Sequence, residues 1–177
     1  MRQMQSPMWA SLFLTVTNLG STIYLWIIGT VAAIIFILMR WLRPLLLLML
    51  VMSGQGALDQ GFKWLIARPR PSALVNYKTL ESFSFPSGHA IASLCLYVTI
   101  AWIITTQLEN SAAKAGVWIS AAILVFLTGA SRVYIGVHYP TDVLAGWSAG
   151  LAWAVLCWLA ARSLQRRGAV EGPRRDA

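Results

Sequence analysis

The chain has 177 residues, 58% hydrophobic and only 11% charged, with nine tryptophans and a mean hydropathy of +0.64. Soluble domains carry about 25% charged residues, so an ordinary soluble globule is excluded and a single all-α, polytopic membrane domain over 1–177 is expected. The net charge of +8 forms no continuous basic stripe; many of the basic residues end apolar runs, which argues against nucleic acid and for topology signals and anion ligands.

Residues 6–19 open on Ser6-Pro7, a helix-start signal, but are too short and too polar to span a bilayer, so an interfacial helix is expected. No secretory leader is expected, because the first apolar run begins late and lacks a small-x-small cleavage site. Residues 22–39 are apolar, and about 18 residues at roughly 1.5 Å each nearly cross the hydrocarbon. Arg40 and Arg43 close that span, and Pro44 suits the first turn of the next helix.

The second span, 44–67, changes character halfway. LLLLMLVM is lipid-facing, whereas SGQGALDQGFKW carries Gln55, Asp59, Gln60 and Lys63 among small residues that permit close helix packing. Asp59 and Lys63 stand four apart and are expected to form a structural intramembrane ion pair. ARPRP then ends the helix, since Pro69 and Pro71 remove donors and push Arg68 and Arg70 out of the α region.

A polar loop covers 72–86, a third span 88–106, a short connection 107–114, a fourth span 115–130 and a fifth 140–161. The basic tail from 162 onward is expected to be mobile. Cys95 and Cys157 lie inside apolar runs without metal-ligand spacing and read as core or lipid-facing thiols. The expected architecture is a helix bundle of about five transmembrane spans preceded by the interfacial helix, with no internal repeat.

Five spans place the two termini on opposite faces. Arg40, Arg43, Lys114 and arginines 162, 166, 167, 174 and 175 fall on one side. Arg2, Lys63, Arg68, Arg70, Lys78 and Arg132 fall on the other, and three of these are reserved for a site. The balance puts the tail in the cytoplasm. Two spans separate ARPRP…PSGH from SRVYIGVHYPTD, so those clusters share one membrane face in either orientation.

The polar residues on that face form three groups. The first is Lys63 with Arg70-Pro71, the second Pro86-Ser87-Gly88-His89, and the third Ser131-Arg132 followed by His138 and Asp142. Ionisable groups at membrane depth are expensive and mark function. On a helix starting near Pro140, Asp142 can reach back to His138, fix its tautomer and stabilise an imidazolium. Lys63, Arg70 and Arg132 suit the equatorial oxygens of a transferring phosphoryl group. Three cations around two imidazoles also argue against a metal site, and no cofactor is expected. Ser87 fits an N-cap, leaving the N–H groups of Gly88, His89 and Ala90 aimed at an anion, with Gly88 permitting close backbone approach. His138 then reads as the nucleophile that forms a phosphohistidine. His89 reads as the acid that protonates the leaving oxygen and then activates water.

In order and spacing these three groups resemble the signature of the type-2 phosphatidic-acid phosphatase superfamily. These are integral-membrane lipid phosphate phosphatases related in fold to soluble vanadium haloperoxidases. The resemblance covers about residues 55–160, with every motif position matched. Bacterial members usually have six spans, and this chain is expected to lack the first. The resemblance implies the same roles for His138, Asp142 and His89, and binding of a lipid phosphate by Lys63, Arg70, Ser87, Gly88 and Arg132. It implies a bacterial cytoplasmic membrane, with the site facing the periplasm or exterior. Undecaprenyl diphosphate is the leading substrate expectation, followed by phosphatidylglycerophosphate, phosphatidic acid and lipid A phosphates; no nucleic-acid partner is expected, and the oligomeric state is left open.

Two other classes compete. A membrane serine hydrolase would use Ser87 with His138 and Asp142, but Ser87 lacks the G-x-S-x-G context and acyl transfer needs no cluster of cations. A small anion or lipid transporter would use Asp59, Lys63 and the arginines as a pathway, but the polar residues gather at one face rather than at the midplane.

Overall fold

The computed structural model describes residues 13, 15–18, 20–71 and 82–166, and from Thr22 onward apolar runs bounded by arginines, prolines and polar turns fold into five helices among the described residues. We number them α1 (Thr22–Leu38), α2 (Leu42–Ile66), α3 (Gly88–Gln107), α4 (Ser111–Tyr134) and α5 (Pro140–Arg166). No strand occurs among the described residues. Helices close their backbone hydrogen bonds internally, which a water-free bilayer core demands. Four of them, α2 to α5, are long and apolar enough to cross a membrane. α1 is also apolar, but its 17 residues reach only about 26 Å of a roughly 30 Å core.

Local chemistry sets the helix ends. At the end of α1, Arg40 is left-handed (φ 57°), its N–H bonds Ile37 O, and Trp41 N–H reaches back to Phe36 O at 2.7 Å. That is a Schellman closure with arginine where glycine is usual. α2 stops where Ala67 turns left-handed (φ 47°) and bonds Lys63 O, with Pro69 barring continuation. α4 begins earlier than its apolar run suggests, because the Asn110 side chain accepts from Ala112 N at 2.8 Å and Ala113 N at 3.1 Å. It also ends later, so Ser131 and Arg132 lie on its last turn rather than in a loop.

α3 is the axis of the bundle and packs against all four other helices. Ala90, Ile91, Cys95, Leu96 and Ile103 on it are fully buried, and Cys157 of α5 is buried as well. Trp26 and Ile34 of α1, Met49 of α2, Phe126 of α4 and Leu156 of α5 point outward, as lipid-facing residues should. Trp153 of α5 donates to Val51 O of α2 at 3.0 Å.

One close approach positions the site. A Cβ at Gly146 would lie 2.8 Å from Ser87 O and 2.9 Å from the Ala90 Cβ, so glycine lets α5 press against the first turn of α3. There the Ser87 N–H donates to Asp142 O at 3.0 Å. The helix starts that carry the second and third motifs are thereby joined.

The interfacial helix expected over 6–19 is described only in part. Residues 15–18 are helical, Thr17 is buried, and Phe13 stacks on Tyr134 with ring centroids 4.1 Å apart. Residues 1–12, 14 and 19, most of the 72–86 loop (72–81), and the tail beyond 166 lie outside the described residues.

Candidate active site

The three motif groups come together at one end of the bundle, as two intervening spans require. α2 supplies Asp59 and Lys63 near its C-terminus, and the extended residues after it supply Arg68 and Arg70. The start of α3 supplies Ser87, Gly88 and His89. The last turn of α4, the following turn and the start of α5 supply Arg132, His138 and Asp142.

Asp142 is the hub. It is fully buried, so its carboxylate must be satisfied by the protein. Oδ1 accepts from Arg68 Nη1 at 2.8 Å. Oδ2 accepts from Tyr139 N–H at 2.9 Å and from the Ser84 hydroxyl. His138 Nδ1 stands 3.5 Å from Oδ2, the i,i+4 approach expected from the sequence but longer than a closed hydrogen bond.

The other ring nitrogen of His138 meets Arg70. Arg70 Nη1 lies 3.1 Å from His138 Nε2 and donates to Val137 O at 3.0 Å, while its Nε and Nη2 donate to Ser82 O and Oγ at 2.7 and 2.9 Å. A guanidinium only donates, so Nε2 is the acceptor and the ring proton sits on Nδ1, facing Asp142. Burial pushes His138 down to about 3; the Arg70 and Arg132 charges add to that, and the Ser84 carbonyl opposes it. The imidazole is therefore neutral at physiological pH, with its lone pair directed at a cation. Burial and the Arg132 charge also pull Arg70 below its ordinary value.

Arg132 is almost wholly buried and donates through Nη1 to Thr17 Oγ1 at 2.9 Å. His89, on the first turn of α3, is partly buried and makes no hydrogen bond to a described residue. It lies within electrostatic reach of Arg132, His138, Lys63 and Arg70.

Lys63 is engaged by Asp59, at 2.7 Å to Oδ1 and 2.5 Å to Oδ2, and both residues are buried. The pair abuts the start of α3, where a Cβ on Gly88 would lie 2.9 Å from Asp59 Oδ1. A carboxylate at a helix N-terminus is well placed for the helix dipole. Ser87 occupies the N-cap position with extended backbone, but its side chain makes no cap hydrogen bond. The buried hydroxyl has no hydrogen-bond partner. The expected side-chain cap is therefore not formed, and the first-turn N–H groups are not engaged by it.

All eight residues singled out in the sequence thus belong to one region. Arg68 and Ser84, both bonded to Asp142, were not among them. Arg68 looked like a topology charge, and nothing local distinguishes Ser84 from the other loop serines. The serine-hydrolase alternative is not supported, because His138 Nε2 faces Arg70 and the Ser87 hydroxyl is unpaired. No cluster of three or more His, Cys, Asp or Glu with metal-binding geometry occurs among the described residues.

An apolar cavity of about 350 Å³ runs between α1 and α2, from Thr22 and Gln55 to Ile37, and touches Ala92 one turn beyond His89. Its mouth is flanked by the exposed residues Trp26 and Ile34.

The PAP2 superfamily model matches residues 41–166. The chain is 40% identical over 143 residues to phosphatidylglycerophosphatase B of Bacillus subtilis, covering 77% of this chain and 67% of that protein. It is 33% identical over 132 residues to undecaprenyl-diphosphatase of Sulfolobus acidocaldarius, covering 72% of this chain and 59% of that one. The crystal structure of a transmembrane PAP2-type phosphatidylglycerolphosphate phosphatase from Bacillus subtilis superposes with a TM-score of 0.82 at 33% identity, covering 91% of this chain and 80% of that one. Aquifex aeolicus LpxE shares the fold, with a TM-score of 0.67 at 23% identity, covering 89% of this chain and 90% of that one.

Proposed function

The chain belongs to the PAP2 superfamily of membrane phosphatases, and from that premise we propose that it hydrolyses a lipid phosphate through a phosphohistidine on His138. Neutral Nε2 attacks phosphorus, and the Arg70 donor that it now faces turns to a phosphoryl oxygen. Lys63, Arg132 and the first-turn N–H groups of α3 bind the other oxygens, with Ser87 and Gly88 shaping that end of the site. Asp142 stabilises the imidazolium formed as the P–N bond closes. His89 gives its proton to the leaving oxygen, then takes one from the water that cleaves the phosphohistidine. The site acts as a single integral-membrane domain.

The observation that carries this reading is the 3.1 Å approach of Arg70 Nη1 to His138 Nε2. It aims a nucleophile's lone pair at a group built to bind phosphate. Acid-sensitive, alkali-stable phosphate on the peptide containing His138, trapped by rapid quenching with labelled substrate, is the expected result. Full turnover with no such intermediate would overturn the proposal.

The apolar cavity beside the site favours a substrate delivered from the bilayer. The identity to a phosphatidylglycerophosphatase B moves phosphatidylglycerophosphate ahead of undecaprenyl diphosphate, which remains the second reading because a 33%-identical relative carries that name. Phosphate release by the purified chain from these two lipids, phosphatidic acid and lipid A phosphates ranks them directly. For location, the similarity to a Bacillus subtilis phosphatase favours the bacterial inner membrane, and the charge balance favours an orientation with the site facing the periplasm or exterior. A cysteine at position 73 should then label with an impermeant thiol reagent in intact cells, and one at Ser111 should not. The reverse pattern would turn the site to the cytoplasm.

A further inference from the structure

Arg68 belongs to none of the motif positions, yet its contacts reach straight to the acid of the His138–Asp142 pair. Nη1 lies 2.8 Å from Asp142 Oδ1 and 2.8 Å from Thr141 Oγ1, and the guanidinium carbon sits 3.9 Å over the Tyr139 ring. One side chain thus grips three of the four residues that lead from the nucleophile into α5. The carboxylate it holds is fully buried, whereas the Arg68 side chain is 34% exposed. Removing the arginine would leave a buried anion supported only by neutral donors, Ser84 and Tyr139 N–H.

The chain geometry adds a second reason. Arg68 and Arg70 flank Pro69, in a segment held out of the helix. Arg68 takes the Asp142 end of the 137–142 turn, and Arg70 takes the Val137–His138 end. The Arg68 carbonyl accepts from Ser84 N–H at 2.8 Å, which places the Ser84 hydroxyl on the same carboxylate. One extended tripeptide therefore spans the histidine–aspartate pair from both ends, one arginine facing the nucleophilic nitrogen and the other the orienting acid.

We propose that Arg68 is a positioning residue, which acts through Asp142 to hold the carboxylate against His138 Nδ1 and makes no contact with substrate. This rests on the phosphohistidine reading above.

The test is steady-state kinetics of the purified full chain with a soluble aryl phosphate, for Arg68→Gln, Arg68→Lys, Asp142→Asn and the Arg68→Gln/Asp142→Asn double variant. Loss of an outer-shell partner of a metal-bound histidine typically costs about 10–100-fold; by analogy Arg68→Gln should lower kcat by about that order with KM unchanged. Arg68→Lys keeps the charge but not the fork and should recover part of the loss. In the Asp142→Asn background the Arg68 change should cost little more, because the two residues act as one unit. A rise in KM with kcat preserved would make Arg68 a substrate ligand, and additive losses would make it a scaffold residue; either overturns the proposal. If Arg68→Gln does not fold, Arg68→Lys decides alone: its loss must fall on kcat and must vanish beside Asp142→Asn. Full activity of Asp142→Asn would remove the orienting role of Asp142 and the proposal with it, whereas turnover retained in His138→Ala would instead remove the phosphohistidine reading on which the proposal stands.

Discussion

Arg70 Nη1 and His138 Nε2 face each other at 3.1 Å, and this one contact fixes the protonation of the imidazole. The nitrogen accepts, so the proton is on the Asp142 side. The resting site therefore holds the proposed nucleophile, Nε2, free of a proton, so the proposed attack needs no base to activate it.

The two histidines should respond differently to the leaving group. His138→Ala should abolish turnover of every substrate, because the covalent step is gone. His89→Ala should cost 10²–10⁴-fold on an alkyl phosphate, the usual size of general acid assistance, and much less on an aryl phosphate whose phenolate leaves unprotonated. Phosphate release from both substrate types checks this. Equal losses in His89→Ala, with turnover left in His138→Ala, would mean the roles are exchanged.

The Asp59–Lys63 pair is buried, so breaking it from one side leaves an uncompensated charge. Asp59→Asn should destabilise the protein by about 3–5 kcal/mol, the usual cost of removing one member of such a pair. The double change Asp59→Asn/Lys63→Met should recover much of that stability while remaining inactive. Unfolding in detergent by heat or denaturant reports the first effect, and phosphate release the second.

Gly88 is required by Asp59, independently of any ligand. The added methyl of Gly88→Ala would meet Oδ1 at 2.9 Å, with Cγ and Oδ2 at 3.1 Å, so the carboxylate must shift and drag Lys63 with it. Reduced stability and activity are expected. The stability cost should shrink in an Asp59→Ala background, where the clash is absent. An undiminished cost there would assign the requirement to the backbone.

His138 makes stability pH-dependent with a definite sign. Its folded value is about 3 against an ordinary 6.5, so between those limits the unfolded chain binds a proton that the folded chain refuses. Stability then rises with pH through the window. The contribution is present in full above 6.5 and is lost as pH falls toward 3. Thermal unfolding of the wild type should fall more steeply on acidification over this range than that of His138→Gln. Parallel curves would count against a buried neutral imidazole.

Much of this was legible in the sequence because two strong signals coincide. Apolar runs ended by Arg40 and Pro69 or opened by Pro140 delimit helices, and their number puts PSGH and SRVYIGVHYPTD on one face before any contact is known. Asp59–Lys63 and His138–Asp142 are i,i+4 pairs, so their proximity is local. What could not be read is the pairing of groups distant in sequence. Arg68 meets Asp142 through an extended segment whose course depends on how α2 ends, and Asp59 meets Gly88 only because two helices cross there. The start of α4 is legible too, since Asn110 before Ser-Ala-Ala is an N-cap signal. The unmade Ser87 cap depends on a rotamer, which no spacing encodes.

The bond from Ser87 N–H to Asp142 O joins the two histidine-bearing turns entirely through peptide groups. No side-chain replacement deletes it; at these positions only proline at 87, which lacks the donor, would. The spacing of the two turns is thus set by backbone rather than by the Ser87 and Asp142 side chains, and it depends instead on Gly146, where a Cβ would meet Ser87 O at 2.8 Å.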